Sequence, residues 1–387
     1  MGRSTVSSAL FVTTVPITLE AFLVPFAAHF RQRGWRVDAL ANGASTSDHI
    51  ASAYDDRFDV AWSRNPLAPG NLIGAASRVR RIVESGGYDI VHVHTPIAAF
   101  VTRYALRKRI TGQRPAVIYT AHGFHFYEGS SARGNQLYSR VERVAAAWTD
   151  YLVTINREDF DAARGFGTIS PERVRFIPGI GVDTDRYSPD AITPADAAAL
   201  RSQLAVPADS FMLAMVAEFG AVKRHAHLFD AIATLADPGI TLVLVGDGPL
   251  ESGLREKAVA LRISDRIRWA GYRRDIPAVL AASDALVLCS EREGLNRSVL
   301  EAMSSGIPVI GTNTRGIADA ITHATGWLAD KNDPASLAGA IAAAASDRAE
   351  ARARGAAGRA RALERYALPQ IIDAYEELYR EALASRV

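Results

Sequence analysis

Short apolar runs alternate with longer stretches of helical spacing along nearly the whole chain. In the first half the runs fall at 9–15, 36–41, 89–94, 116–121, 151–155 and 174–178; in the second they fall at 211–217, 241–245, 267–270, 285–289 and 308–311. Continuous apolar runs of this length fit strands buried on both faces. Strand alternating with helix predicts parallel sheets covered by helices, hence an α/β protein. The pattern pauses over 183–207, where Ser188-Pro189, Thr193-Pro194 and Val206-Pro207 interrupt a polar, Ala-rich stretch. A domain switch is therefore expected near residue 188. After Asp333 the chain reads as helix almost to its end, and the last helix carries Ile371, Ile372, Tyr375, Leu378 and Tyr379 at helical spacing. Such a stripe has to dock against something.

Composition narrows the class. At 387 residues the chain suits two medium domains. Its 44 Lys and Arg against 42 Asp and Glu are too balanced for a dedicated nucleic-acid binder. The balance hides a mild asymmetry: residues 1–185 hold 21 basic and 17 acidic side chains, and the remainder 23 and 25. The single cysteine, Cys289, lies in the apolar run 285–289 and reads as a core residue. No apolar run approaches the ~18 residues needed to span a bilayer, and no targeting segment is evident, so a cytoplasmic chain with at most peripheral membrane contact is expected. The span 76–114 carries Arg78, Arg80, Arg81, Arg103, Arg107, Lys108, Arg109 and Arg114 against only Glu84 and Asp89. Gathered on one surface, these cations would attract anionic lipid.

In open α/β sheets ligands bind beyond the carboxyl ends of the strands, so the loops after each strand carry the candidate chemistry. After the run ending at Cys289 comes Glu291-Arg292-Glu293-Gly294-Leu295-Asn296-Arg297-Ser298, then Glu301-Ala302-Met303. Gly294 to Asn296 reads as a turn that opens a helix, whose free N–H groups and dipole suit a phosphate. After the run 211–217 comes Glu218-Phe219-Gly220-Ala221-Val222-Lys223-Arg224, with two adjacent cations able to neutralise an anionic leaving group. In the first half, His92 and His94 share one strand face and His122 precedes Gly123. No carboxylate or cysteine at ligand spacing completes a zinc site there, and no metal is expected. Asp183-Thr184-Asp185 reads as a structural turn rather than a metal-binding motif.

The pair Glu293 and Glu301, eight positions apart and followed by Glu-Ala-Met and Gly306-Ile307-Pro308-Val309-Ile310, resembles the E-x7-E signature of the retaining glycosyltransferases of family 4. The runs 89–96, 119–126, 156–159 and 177–184 resemble the branch of that family that builds bacterial capsular, exopolysaccharide and lipid-linked glycans. The resemblance implies a GT-B fold, two Rossmann-like domains facing across a cleft, with a C-terminal helix crossing back: residues 1–187 plus 366–387 for the acceptor, and 188–365 for the nucleotide sugar. It implies a metal-independent transfer without cofactor, from a UDP-sugar (N-acetylhexosamine favoured) to a glycan or polyprenyl-diphosphate-linked acceptor. It places Lys223 and His122 at the diphosphate and donor sugar, Glu293 at the sugar and Glu301 on the ribose. The helix start, Gly294, Leu295, Asn296 and Arg297, would hold phosphate, while Gly246, Tyr272 and Arg273 would frame the base. The family arginine of the Arg-x4-Lys pattern is Glu218 here, and Arg224 is the expected substitute. Asn296 replaces the usual proline, which should matter little for backbone donors. A natural-product glycosyltransferase with a soluble acceptor, and a UDP-sugar 2-epimerase of the same architecture, are the alternatives.

Overall fold

The computed structural model describes residues 7–63, 65, 68–108, 114–127, 129–235 and 239–385. The chain divides into two compact units, Met1–Ile180 with Ile371–Val387, and Gly181–Gln370. The border thus precedes the position near 188 suggested by the proline-rich stretch. Val182 N–H donates to the Tyr366 carbonyl and Leu368 N–H to the Val182 carbonyl, so the second unit ties its own entry and exit segments together.

The first unit holds seven parallel strands: β1 (Ser8–Val12), β2 (Arg36–Ala41), β3 (Arg57–Asp59), β4 (Ile90–Val93), β5 (Ala116–Ala121), β6 (Tyr151–Thr154) and β7 (Val174–Phe176). Their order is β3-β2-β1-β4-β5-β6-β7. The direction of winding reverses between β1 and β4, where Leu10 lies beside Val91 and Phe11 beside His92. Strands β1 and β5 are buried at every residue, as their unbroken apolar runs require. The last helix, Leu368–Ala384, buries Ile371, Ile372, Tyr375, Leu378 and Tyr379. Tyr379 stacks on Phe30 with ring centres 4.8 Å apart, and Tyr375 meets Phe26 edge-on at 5.5 Å. The apolar stripe read from the sequence therefore returns to the first unit.

The second unit repeats the plan with β8 (Phe211–Val216), β9 (Ile240–Val245), β10 (Ile267–Gly271), β11 (Ala285–Leu288), β12 (Val309–Thr312) and β13 (Gly326–Ala329), ordered β10-β9-β8-β11-β12-β13. Its reversal lies between β8 and β11. The central strands Phe211–Val216, Ile240–Val245 and Ala285–Leu288 form its core with Cys289, which is fully buried. The two strands absent from the sequence reading, β3 and β13, are both sheet edges; β3 is the polar, half-exposed Arg-Phe-Asp, and β13, Gly-Trp-Leu-Ala, is apolar but only four residues long.

Candidate functional site

The loops after β8 and β11 leave the sheet on either side of the reversal, where a parallel sheet opens a crevice for ligands. Lys223 ends a short turn after β8, and its Nζ donates to Glu293 Oε1 at 2.5 Å. Glu291 N–H donates to the Val222 carbonyl at 2.8 Å, which holds the two loops together behind that ion pair. Arg224 follows in the left-handed region at φ +55°. That twist takes its guanidinium to the Lys331 carbonyl and, at 3.2 Å, to Asn332 Oδ1. The adjacent cations thus part: Lys223 meets Glu293, and Arg224 anchors the segment after β13. Beneath them the Cys289 thiol donates to the Lys223 and Arg224 carbonyls at 3.4 Å each. Burial pushes that thiol up to about 12, so it stays protonated and packs as a core residue. Glu218, standing at the position of the family arginine, is exposed.

The predicted helix start is present, as helix Arg297–Ser304. Its donors are less open than the sequence implied. Asn296 Oδ1 accepts from Ser298 N–H at 2.9 Å and Val299 N–H at 3.3 Å, so the helix is capped by its own side chain. A proline there could not do this, so the departure from the family pattern has a local structural effect. An anion at this end would meet the turn 294–297 rather than the Ser298 and Val299 amides. Glu301 is 5% exposed and accepts from Arg297 Nε at 2.7 Å and from the Tyr187 hydroxyl. Burial raises its carboxyl above the usual range, and Arg297 opposes that shift. Tyr187 was not identifiable from sequence, because it lies far from Glu301 along the chain with no local motif.

Gly316 is a second residue that sequence reading missed. A Cβ at Gly316 would lie 1.7 Å from the Gly294 carbonyl oxygen and 2.8 Å from Leu295 Cα, so only glycine lets the start of helix Arg315–Ala320 back the turn after Glu293. Gly246 plays the same part behind the Lys223 loop, since a Cβ there would lie 2.2 Å from the Ala217 carbonyl oxygen. Phe219 N–H donates to the Asp247 carbonyl at 2.7 Å, and Gly246 N–H to the Gly271 carbonyl at 2.9 Å. The loops after β8, β9 and β10 are therefore laced side by side. On the last of them Tyr272 is 68% exposed, and Arg273 is forked onto Asp275 at 2.5 and 2.9 Å. Asp183 Oδ1 accepts from the Asp185 and Arg186 amides, the hydrogen bonding of a structural turn.

In the first unit His94 and His122 follow β4 and β5, and His94 Nδ1 lies 3.2 Å from His122 Nε2. His92 Nε2 meets Thr120 Oγ1 at 2.8 Å, and its Nδ1 meets the Tyr379 hydroxyl at 2.5 Å. Burial lowers all three rings, His92 to about 3 and His122 to about 4, so they are neutral near pH 7. The cationic surface expected over 76–114 is not a single face. Arg103 is fully buried, paired with Glu142 at 2.9 Å and stacked over Tyr119. Arg80 pairs with Glu84 and Arg114 with Asp150, while Arg109 lies outside the described residues. Counting charges in a window could not show which of them face inward. Among the described residues no helix is long and apolar enough to cross a membrane.

Comparison with known proteins matches this arrangement. The family model described as Glycosyltransferase Family 4 covers residues 19–186, and that described as Glycosyl transferases group 1 covers 196–361. The chain is 35% identical to EpsD of Bacillus subtilis (strain 168), over 85% of each protein. It is 30% identical to the UDP-Gal:alpha-D-GlcNAc-diphosphoundecaprenol alpha-1,3-galactosyltransferase of Escherichia coli, over 69% of each. In fold it is similar to HepE of Anabaena, at TM-score 0.80 and 23% identity over 97% of this chain and 100% of that one. It is also similar to sucrose-phosphate synthase of Thermosynechococcus elongatus, at TM-score 0.78 and 21% identity over 98% and 100%. Two parallel sheets wound in the Rossmann order, each with its crevice at the carboxyl ends, are the GT-B architecture, and the chain belongs to the family 4 glycosyltransferases.

Proposed function

We propose that the protein transfers a sugar, an N-acetylhexosamine by preference, from a UDP-sugar to a glycan or polyprenyl-diphosphate-linked acceptor, with retention of anomeric configuration. The observation that carries this reading is the Lys223–Glu293 ion pair across the reversal of the second sheet. A nucleotide diphosphate entering there competes with Glu293 for the ammonium group. Lys223 then follows the phosphate charge, and the released carboxylate is left for the sugar. As the bond from C1 to the diphosphate oxygen breaks, its electron pair goes to that oxygen. Lys223 and the turn Gly294 to Arg297 stabilise the growing charge, which is stronger in the transition state than in the ground state. The acceptor oxygen bonds to C1 on the same face, and its proton passes to the departing phosphate oxygen.

Glu301 holds the ribose, Tyr272 offers its exposed ring to the base beside Gly246 and Arg273, and His122 serves the transferred sugar. Arg224 acts at one remove, by fixing the turn that aims Lys223. The donor class is supported by the Escherichia coli relative, whose name specifies a UDP-sugar and a diphosphoundecaprenol-linked acceptor. Peripheral contact with anionic lipid would fall to the exposed Arg78, Arg81 and Lys108 rather than to the whole cluster.

The test is a panel of UDP-, GDP- and TDP-sugars read by thermal stabilisation, then product NMR with a lipid-linked acceptor. Stabilisation by UDP-sugars, an α-linked product from an α-donor, and activity unchanged by chelator are expected. An inverted product or activity restored only by Mn²⁺ overturns the mechanism. Release of UDP with an epimerised sugar in the absence of acceptor overturns the transfer itself. Turnover confined to soluble small acceptors overturns the assigned acceptor class.

A further inference from the structure

The His-Val-His run at the end of β4 is used by none of the chemistry above, yet it sits beside the reversal of the first sheet. Its second histidine, His94, is 3% exposed, and its Nε2 has no hydrogen-bond partner among the described residues. An aliphatic or phenyl side chain would fill such a site without burying an unsatisfied nitrogen. What His94 does have is one polar contact, from Nδ1 to His122 Nε2. Its ring also lies against His92, with centres 4.0 Å apart, and edge-on to Phe11 at 6.1 Å. His92 is itself pinned from both sides, by Thr120 and by Tyr379 of the last helix, and Thr120 is met by the Tyr375 hydroxyl at 3.0 Å. The His94 ring therefore packs against a His92 ring that is itself hydrogen-bonded at both nitrogens.

We propose that His94 is the positioning residue of His122: it engages Nε2, fixes one tautomer of the His122 ring, and leaves Nδ1 as the nitrogen offered to a ligand hydroxyl. Two neutral rings sharing one N–H···N contact must carry complementary protons. If His122 Nε2 donated, His94 would carry its proton on the buried, partnerless Nε2; with His94 Nδ1 donating instead, His122 Nε2 accepts and its proton lies on Nδ1. The last helix enters the same arrangement, because Tyr379 and Tyr375 hold the ring on which His94 rests. A ligand group aligned on His122 Nδ1 then meets a fixed donor rather than a mixture. This deepens the reading of His122 as a contact to the transferred sugar and rests on it for the identity of the ligand, but the clamp on the ring does not depend on it.

The experiment is ¹⁵N-histidine NMR on the full chain, assigned by comparison with His122→Gln, and repeated in His94→Phe and His94→Asn. Wild-type protein should show His122 as one tautomer, and His94→Phe should show averaged Nδ1 and Nε2 shifts. His94→Asn, whose amide takes the place of Nδ1, should restore a single form. With donor and acceptor, His94→Phe should lower kcat about 10- to 100-fold, the scale of a misplaced catalytic contact, with donor KM within threefold, and His94→Asn should recover most of the loss. Averaged His122 tautomers in the wild-type protein overturn the proposal, and so does an unchanged ring in His94→Phe. If His94→Phe does not fold, the wild-type and His94→Asn spectra decide. A fixed tautomer together with no loss of kcat in His94→Phe would leave the clamp standing and refute the assigned role of His122.

Discussion

Lys223 and Arg224 are neighbours with the same charge, and their separate fates follow from one backbone angle. At φ +55° Arg224 reaches the Lys331 carbonyl and Asn332, while Lys223, one residue earlier, meets Glu293. Nothing in the residue types announces that angle, so the sequence does not show that only Lys223 of the two meets Glu293 while Arg224 bonds Lys331 and Asn332. Lys223→Ala should therefore lower kcat about 10²- to 10³-fold, the range for loss of one donor to a developing oxyanion, with a smaller change in donor KM. Steady-state kinetics with the preferred donor check this, and near-normal turnover removes the assigned role. Glu301 makes a different prediction. Its carboxyl is raised by burial in spite of Arg297, so the folded protein binds that proton more tightly than the unfolded chain does. Ionisation of Glu301 thus costs stability, a cost absent below the ordinary carboxylate range and complete once pH exceeds the raised value. Glu301→Gln should consequently raise Tm at neutral pH, with the gain shrinking as pH falls into the carboxylate range, while donor KM rises at least tenfold. A lower Tm at pH 7.5 would show that the bond to Arg297 outweighs the desolvation.

At the level of elements, the strands buried on both faces are legible because burial demands unbroken apolar runs, as in Phe211–Val216 and Ala285–Leu288. The edge β3 is not, because Arg-Phe-Asp carries no such run, and the edge β13 is missed for its length, since Gly-Trp-Leu-Ala is apolar but spans four residues only. The helix Arg297–Ser304 stands where the sequence predicts it, and its cap is legible too, since an asparagine directly before a helix is a favoured N-cap; what the residue pattern leaves out is how few donors that cap leaves for a ligand. Asn296 has to satisfy the donors at its own helix start before any ligand does, and that competition is visible only in three dimensions. The same limit hides Gly316, whose importance comes from a carbonyl on another loop. Overpacking against rigid backbone costs about 1–3 kcal/mol, and at Gly316 the neighbours are backbone atoms that cannot rotate aside. Gly316→Ala should lower stability by about 1–3 kcal/mol, seen as a lower Tm, and reduce kcat at least tenfold by shifting the turn that carries Glu293. Gly339 supplies the contrast. It lies in helix Pro334–Ser346, and a Cβ added there would have nothing within 4 Å, so Gly339→Ala should leave kcat unchanged and add up to about 1 kcal/mol of stability. Equal behaviour of the two variants would show that Gly316 does not support the site.

At the scale of the whole molecule, neutral histidines are built into both units, and they set its response to acid. His92, His94 and His122 lie in the first unit and His225 in the second, all lowered chiefly by burial, with His225 at about 4 and also repelled by Lys223. Unfolded histidine takes up its proton near pH 6.5, whereas folded His92 resists until about 3 and His122 and His225 until about 4, and His94 is lowered in the same direction. Between those limits the unfolded chain binds more protons than the folded one, so the histidine contribution is full above about pH 6.5 and is lost as pH falls towards the folded values. At pH 5 His92, His122 and His225 each cost roughly 2 kcal/mol, at about 1.4 kcal/mol per pH unit below 6.5. The first unit, with three deeply buried rings, should lose stability faster than the second, where His225 is joined only by the half-buried His227. Two units with separate cores need not melt together, so calorimetry from pH 7.5 to 4.5 should resolve a transition that moves steeply and one that moves less. His225→Gln should flatten only the second. A single transition whose midpoint holds from pH 7.5 to 5 would mean that the buried rings are accessible to protons in the folded protein, and would count against the neutral histidine pair on which the alignment of His122 depends.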